Sequence, residues 1–277
     1  TEAAAECLLD AFRADKKIAL FCDYDVDGIT AGEVLTRAVR PYGEFALTDY
    51  ASPTDGFGLT EEFVRRAAAE GCEVLVTVDC GFADNDAVAL AQELGMKVVV
   101  TDHHRTDGTN PADYHINPQL HGSSANIGAQ VAWKVGAAIQ ERADGEVRPE
   151  HMEETLYLAA FGCNADWGPV KDPENRAFYV QGSPHVPLGV RRLAERLKEN
   201  PEYMGEAWGT QKMLDMAKRT SRVTGTETSA VLRAQTIEEA DAAIDRLKEV
   251  SKELDATQRK AKAQINQQQD KYKNEAG

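Results

Sequence analysis

The chain has 277 residues, a formal net charge of −15 at pH 7 and a hydrophobic content of 42%. These values allow a sizeable core, and they argue against intrinsic disorder and against a broad basic surface that grips nucleic acid without sequence preference. No apolar run is long enough to cross a bilayer, and the five cysteines include no CxxC pair, so we expect a cytoplasmic protein with reduced thiols.

Short apolar runs alternate with amphipathic stretches over the first 120 residues. The apolar runs are Ile18–Cys22, Val74–Val78 and Lys97–Thr101. The amphipathic stretches lie at about Thr30–Tyr42, Thr60–Glu70 and Asn85–Leu94. A glycine follows each of the last two, at the position where helices often end. This alternation is typical of βαβ units, so we predict an α/β fold with a mostly parallel sheet flanked by helices.

The rest of the chain has a helical pattern. Apolar residues recur at helical spacing from Ile237 to Ile265, which predicts a long amphipathic helix packed on the body. A coiled-coil partner is less favoured because Ser251 and Gln258 interrupt a strict heptad. We therefore predict a domain over residues 1–200, with a βαβ part at about 16–120 and a helical part at about 126–200. A helical extension over 201–277 would end in a long helix of the linker type.

The first predicted strand runs directly into the acidic segment Asp23–Gly28. Residues two apart on an extended chain point the same way, so the carboxylates of Asp23, Asp25 and Asp27 should lie close together. Such a cluster persists at neutral pH only if it is protonated or neutralised by cations, and a divalent metal ion is the usual solution. An EF-hand loop begins with the same pattern, but it needs a preceding helix and a glutamate at the twelfth position, where this chain has Val34.

The next two strands also end in aspartate, at Asp79 and at Asp102, and the second of these is followed by His103 and His104. Ligands of open parallel sheets bind at the carboxyl ends of the strands. Three consecutive strands that end in aspartate therefore predict one acidic edge that also carries two imidazoles. A single histidine would more often be structural, but beside this edge the pair is assigned to metal or phosphate binding.

A fourth segment, Gly162–Pro169, contains Asp166 before a Trp-Gly-Pro turn. Taken alone, this aspartate is most simply a cap or turn residue. Together, however, the four segments resemble the motifs of the DHH phosphoesterase family, and the form of Asp23–Gly28 resembles its RecJ-like branch in particular. Further matching segments are Phe57–Leu59, Val78–Gly81, Ile116–Pro118, Gly128–Lys134 and Asn175–Arg176.

The resemblance implies which residues form the site. Two divalent cations would be bound, with Asp79 between them, by Asp25, Asp27, Asp79, His103 and Asp166. Asp23 is a further candidate metal ligand. The catalytic residues would be Asp79, Asp102, His103 and His104, and the substrate contacts would be His104, Arg105, Asn175, Arg176 and Arg222. Carboxylates mixed with one imidazole suit Mn²⁺ better than Mg²⁺, although Mg²⁺ remains possible.

For function, the resemblance implies a hydrolase with a DHH catalytic domain: a RecJ-like exonuclease that degrades single-stranded DNA from 5′ to 3′, in DNA repair and recombination. DNA is favoured over RNA as the nucleic-acid partner, and no membrane is expected. One alternative is a phosphodiesterase or phosphatase for short oligonucleotides, dinucleotides or pyrophosphate. The other is a catalytically silent RecJ-related scaffold, which is disfavoured because every expected ligand type is present.

One departure from the RecJ pattern bears on substrate binding. RecJ-like enzymes continue past the linker helix into a DHH-associated domain with a glycine-rich His motif, and no such segment follows here. We therefore expect that a missing C-terminal domain or a single-strand-binding protein would help to hold the substrate. Four aromatic residues near the motifs are candidates for base stacking: Tyr24, Phe57, Trp133 and Trp167. For Trp133, helical spacing with Val131 and Val135 favours a place in the core.

Overall fold

The computed structural model describes residues 1–52, 58–106, 108–122, 126–197 and 225–250. At its centre is a five-stranded, wholly parallel sheet with the strand order β2-β1-β3-β4-β5. The strands are β1 (Ile18–Cys22), β2 (Leu47–Tyr50), β3 (Val74–Val78), β4 (Lys97–Thr101) and β5 (Tyr114–Ile116). The predicted α/β fold with a parallel sheet is therefore confirmed.

The three strands predicted from apolar runs occupy the middle of the sheet. Every residue of β1 and β3 is buried, which explains their continuous apolar sequence, since both faces of a parallel sheet are covered. The edge strands β2 and β5 were not predicted. They are short and largely half-buried, so they lack the apolar run that marks a central strand.

Helices cover both faces of the sheet. In chain order they are α1 (Glu2–Arg13), α2 (Val26–Val39), α3 (Glu61–Ala69), α4 (Asn85–Glu93), α5 (Gly128–Asp144), α6 (Pro149–Ala165), α7 (Pro173–Gly182), α8 (Leu188–Leu197), α9 (Gly225–Arg233) and α10 (237–250). One core lies between the sheet and α3 and α4, and a larger one lies beneath α1, α2, α5 and α6. None of the described helices is both long and apolar enough to cross a membrane.

The helical extension packs on the body through a small apolar cluster. Ile244 and Leu247 of α10 are buried against Leu193 of α8 and Val231 of α9. The predicted boundary at residue 200, Arg222 and the remainder of the predicted long helix beyond residue 250 lie outside the described residues.

Helix α2 begins earlier than the sequence pattern predicts. The prediction that Asp23–Gly28 is extended is wrong, because the helix begins at Val26 instead of near Thr30. The carboxylate of Asp25 caps it by accepting a 3.0 Å hydrogen bond from the backbone N–H of Gly28. Asp27 consequently lies in the first helical turn, and its side chain is directed by the helix and not by a strand.

Candidate metal centre

The carboxyl edge of the sheet brings three aspartates side by side. The last residues of β1, β3 and β4 are paired in register. The residue that follows each of these strands is Asp23, Asp79 and Asp102, and all three side chains are buried. Parallel pairing therefore places on one edge three carboxyl groups that are far apart in the sequence.

The imidazole of His103 faces carboxylates from three other parts of the chain. Its Nε2 atom lies 3.1 Å from Oδ1 of Asp79, 3.7 Å from Oδ2 of Asp27 and 3.7 Å from Oδ2 of Asp166. Asp27 belongs to α2, Asp79 follows β3 and Asp166 ends α6. Burial lowers the pKa of His103 to about 4, so its imidazole is neutral near pH 7, which is the form that binds metal ions.

Asp27 is fixed by the beginning of another helix. Its carboxylate oxygens accept hydrogen bonds from the backbone N–H groups of Gly128 (2.7 Å) and Ala129 (2.9 Å). These groups belong to the first turn of α5, where the helix dipole favours negative charge. Burial, followed by the charge of Asp25, still raises the pKa of Asp27 well above its ordinary value, so the helix offsets only part of the cost of the buried charge.

The backbone of Asp79 is in the left-handed region, with φ of 62°. Aspartate is one of the few residue types besides glycine that tolerate this conformation. The space beside its carboxylate depends on a glycine, since a Cβ at Gly128 would lie only 2.3 Å from Asp79 Oδ1. Burial, with the charges of Asp27 and Asp25, raises the pKa of Asp79 well above its ordinary value.

The side chains at this edge supply ligand atoms that suit cations. Buried acceptor oxygens are nearly always satisfied in proteins, yet within the described part of the chain no hydrogen bond of good geometry reaches Oδ1 of Asp79 or Oδ1 of Asp23. Three groups of three side chains each bring their ligand atoms within 4.8 Å of one another: Asp27, His103 and Asp166; Asp23, Asp25 and Asp79; and Asp79, His103 and His104. The 3.1 Å contact between Asp79 and His103 joins the first two groups. Burial, and then the charge of neighbouring carboxylates, raises the pKa values of Asp23, Asp27 and Asp79, and a positive charge placed there would offset that repulsion.

Asp102 has a different role from its neighbours on the sheet edge. Its Oδ1 accepts hydrogen bonds from the backbone N–H groups of His103 (2.7 Å) and His104 (3.0 Å), and it lies 2.8 Å from Nδ1 of His104. Its Oδ2 accepts one from the N–H of Phe82. Although burial opposes ionisation, the hydrogen bonds from His104 and the backbone hold the pKa of Asp102 below its ordinary value. In return, the hydrogen bond to Asp102 raises the pKa of His104 to about 9.

Comparison of the sequence with known proteins agrees with this geometry. The profile of the DHH family, N-terminal domain, matches residues 17–162, which is more than half of the chain. The chain belongs to the DHH family. It is 33% identical to the single-stranded-DNA-specific exonuclease RecJ of Haemophilus influenzae over 220 residues, covering 73% of this chain and 38% of that protein. It is 35% identical to RecJ of Escherichia coli over 206 residues, covering 69% and 35%.

Solved structures of RecJ have the same architecture as this DHH domain. A structure of exonuclease RecJ bound to manganese superposes with a TM-score of 0.79 at 26% identity and covers 91% of this chain and 65% of its own. RecJ from Thermus thermophilus in complex with Mn²⁺ superposes with a TM-score of 0.74 at 27% identity, covering 91% and 37%. The DHH chain spans little more than a third of the length of the curated RecJ relatives named above.

The predicted substrate contacts of the DHH domain separate into two classes. Arg105 and Arg176 are exposed, so their side chains are accessible to a ligand. Asn175, in contrast, is fully buried, and its Nδ2 donates to the carbonyl of Pro169. Its side-chain amide therefore braces the turn that follows Asp166.

The residues that hold the candidate ligands in place were not predicted from the sequence. The N–H groups of Gly128 and Ala129 hold Asp27, and Gly162 leaves room for it, since a Cβ there would lie 2.6 Å from Asp27 Oδ1. The segment Gly128–Lys134 is one of those that resemble the DHH family, but nothing in its spacing indicates which carboxylate its helix faces.

Proposed function

We propose that this DHH domain is a metal-dependent phosphodiesterase that removes nucleotides from single-stranded DNA in the 5′-to-3′ direction. The proposal depends above all on one observation: Nε2 of His103 faces carboxylate oxygens from three separate elements at 3.1–3.7 Å. The RecJ relatives are named as exonucleases specific for single-stranded DNA, which supports single-stranded DNA as the proposed substrate. The direction is the one that resemblance to RecJ implies.

The residues that would hold two divalent cations are Asp25, Asp27, Asp79, His103 and Asp166, with Asp23 beside them. Four or more carboxylates and one neutral imidazole suit Mn²⁺, and a carboxylate-rich site also accepts Mg²⁺. When bound, two such ions supply a water molecule of lowered pKa and neutralise the attacking and leaving oxygens of an in-line displacement. The manganese-bound RecJ structures support this choice of ion.

The protein's own contribution to the reaction is the placement of a charged donor. With its pKa raised to about 9, His104 is protonated near neutral pH. Its Nδ1–H is held by Asp102 at 2.8 Å, which leaves Nε2–H to donate to a non-bridging oxygen of the scissile phosphate. A donor aimed at the oxygen where charge develops stabilises the transition state more than the ground state. Asp102 is thus a positioning residue, which fixes the orientation of His104 and favours its protonated form.

The test is cleavage of single-stranded DNA by the purified chain with Mn²⁺. Asp79→Asn keeps the size of the side chain and tolerates the left-handed backbone, so it removes mainly the charge. We expect it to lower the rate by more than about 100-fold, since even residues that only support metal ligands cost about 10- to 100-fold. Asp86→Asn, an exposed change on α4, serves as the control. Full activity of Asp79→Asn would contradict the proposal.

A second candidate function is suggested by the charge of the chain. A net charge of −15 is unfavourable for holding a long polyanion, and it favours a phosphodiesterase for dinucleotides or short oligonucleotides. The two candidates differ in kcat/KM for a dinucleotide and for a long single strand. An exonuclease should prefer the long strand, whereas a small-substrate enzyme should prefer the dinucleotide.

A further inference from the structure

Trp167 carries an exposed aromatic ring next to the candidate metal centre. Its side chain is 73% exposed, more than any other large hydrophobic residue in the described part of the chain. It directly follows Asp166, whose carboxylate lies 3.7 Å from His103. A large aromatic ring is therefore kept in solvent at the margin of the candidate metal centre.

The backbone at Trp167 is also unfavourable for its residue type. Its φ is 56°, in the left-handed region, directly after the residue that caps the end of α6. Glycine is the usual residue at this position, because a Cβ makes the conformation costly. The turn is held by backbone hydrogen bonds, including one of 2.8 Å from Gly168 N–H to the carbonyl of Cys163. These bonds join backbone atoms only, and strain retained beside a site points to a function.

Two of the other three aromatic candidates are accounted for by packing. Trp133 packs edge-to-face on Phe178, with ring centroids 5.3 Å apart. Tyr24 is half-buried against the core beneath α3 and α4. Phe57 lies outside the described residues. Among the candidates that the structure describes, Trp167 is the one whose side chain is mostly exposed.

We propose that Trp167 stacks on the base of the nucleotide whose phosphate is bound at the metal centre. The inference rests on the proposed function and adds a positioning residue to it. The Cα atoms of adjacent residues are about 3.8 Å apart, so a nucleotide held at the carboxylate of Asp166 would lie beside residue 167. Stacking is independent of charge and tolerant of sequence, so it supplies affinity for a nucleic acid that the acidic chain does not gain from a broad basic surface.

The first test measures binding without cleavage, by fluorescence anisotropy of a short fluorescein-labelled oligothymidylate with nuclease-resistant phosphorothioate linkages in the presence of Mn²⁺. Base–aromatic stacking corresponds to a change in Kd of roughly 5- to 150-fold on substitution by alanine. Trp167→Ala should show such a loss, and Trp167→Phe should retain part of the affinity. Ile237→Ala, which shortens another exposed apolar side chain, on α10, should bind as the wild type does.

Trp167→Gly separates stacking from a structural role. Glycine relieves the left-handed strain, so its Tm should rise by about 2–4 °C, while its affinity for the oligonucleotide falls as much as that of Trp167→Ala. An oligonucleotide with an abasic residue at the stacked position should bind the wild type as weakly as the normal one binds Trp167→Ala, with no further loss in the variant. Unchanged affinity in Trp167→Ala, or a lower Tm in Trp167→Gly, overturns the inference.

The two proposals fail in different ways. A wild type that binds the oligonucleotide through Trp167 but does not cleave unmodified single-stranded DNA with Mn²⁺ contradicts the proposed function and leaves the stacking role standing. A wild type that cleaves, with Trp167→Ala unchanged in both KM and Kd, contradicts the stacking role alone.

Discussion

The carboxylate of Asp27 accepts a 2.7 Å hydrogen bond from the backbone N–H of Gly128, a residue 101 positions later in the chain. This bond joins the first turn of α2 to the first turn of α5. The same glycine leaves the space beside Asp79. One residue without a side chain thus allows two buried carboxylates, from α2 and from the end of β3, to lie next to each other.

Gly128→Ala should disrupt the site through this contact. The added Cβ would lie 2.3 Å from Oδ1 of Asp79, so the carboxylate or the helix must move. We expect a loss of about 1–3 kcal/mol in the free energy of unfolding and at least a roughly tenfold drop in kcat/KM, because catalytic geometry tolerates little displacement. Gly136→Ala in the same helix is the matched control, since its Cβ would meet Ala38 in the core. It should lose stability but keep its activity per folded molecule.

Asp102→Asn should reduce activity without removing cations. Because Asp102 orients His104 and is outside all three groups of candidate ligands, the variant should lose about 10- to 100-fold in kcat and still bind Mn²⁺ in isothermal titration calorimetry. Asp79→Asn should lose cation binding together with activity. If Asp102→Asn also failed to bind Mn²⁺, the assignment of Asp102 as a positioning residue would be wrong.

The stability of the cation-free protein should fall as the pH rises. Burial and the charge of Asp25 raise the pKa of Asp23 from 3.8 to about 7. Between these values the folded state binds more protons than the unfolded state, so the free energy of unfolding decreases by the order of a few kcal/mol across this window. Urea denaturation with EDTA at pH 5 and pH 7.5 measures the effect, and the decrease should be smaller in Asp23→Asn than in the wild type.

Added Mn²⁺ should reverse that trend. A ligand that binds only the folded state stabilises it by about 2.7 kcal/mol at 100 times its Kd. Since the carboxylates must be deprotonated to bind the ion, the rise in Tm should be larger at pH 7.5 than at pH 5. Equal stabilisation at both pH values, or none, would contradict the presence of a carboxylate-bound ion.

A partly buried ion pair away from the metal centre should stabilise α2. The carboxylate of Glu33, fully buried on α2, accepts hydrogen bonds from Nε of Arg233 at 2.6 Å and from the hydroxyl of Ser229, both on α9. Arg233→Ala would leave this carboxylate without its cation and should cost roughly 1–3 kcal/mol. This expected loss of stability is smaller than for a fully buried pair because the Arg233 side chain is 48% exposed.

The double variant Glu33→Gln/Arg233→Ala supplies the control for this pair. Burial raises the pKa of Glu33, so replacing its carboxyl with an amide removes the charge that Arg233→Ala leaves buried. Urea denaturation should therefore show that the double variant recovers part of the stability lost in Arg233→Ala. A double variant as unstable as the sum of both single variants would indicate that Glu33 and Arg233 act independently.

The central strands and the acidic edge were predictable for a simple reason. A strand buried on both faces is largely apolar, and the sequences of Ile18–Cys22, Val74–Val78 and Lys97–Thr101 show this directly. The ends of parallel strands meet at one edge, so Asp23, Asp79 and Asp102 could be placed together before any coordinates. The short edge strands were missed because half-buried residues carry no such signal.

The sequence by itself determined the residue types of the site and the sheet edge that carries most of them. Only the tertiary structure decided which groups meet: Asp166 is brought to His103 by the packing of α6, and Asp27 is directed by a helix that begins at Val26 instead of near Thr30. It also separated Asp102, which accepts hydrogen bonds, from Asp79, whose Oδ1 atom faces His103. The physical reason is that spacing along a chain describes each element alone, whereas distances between elements follow from how their side chains pack, and here glycines at positions 128 and 162 set those distances.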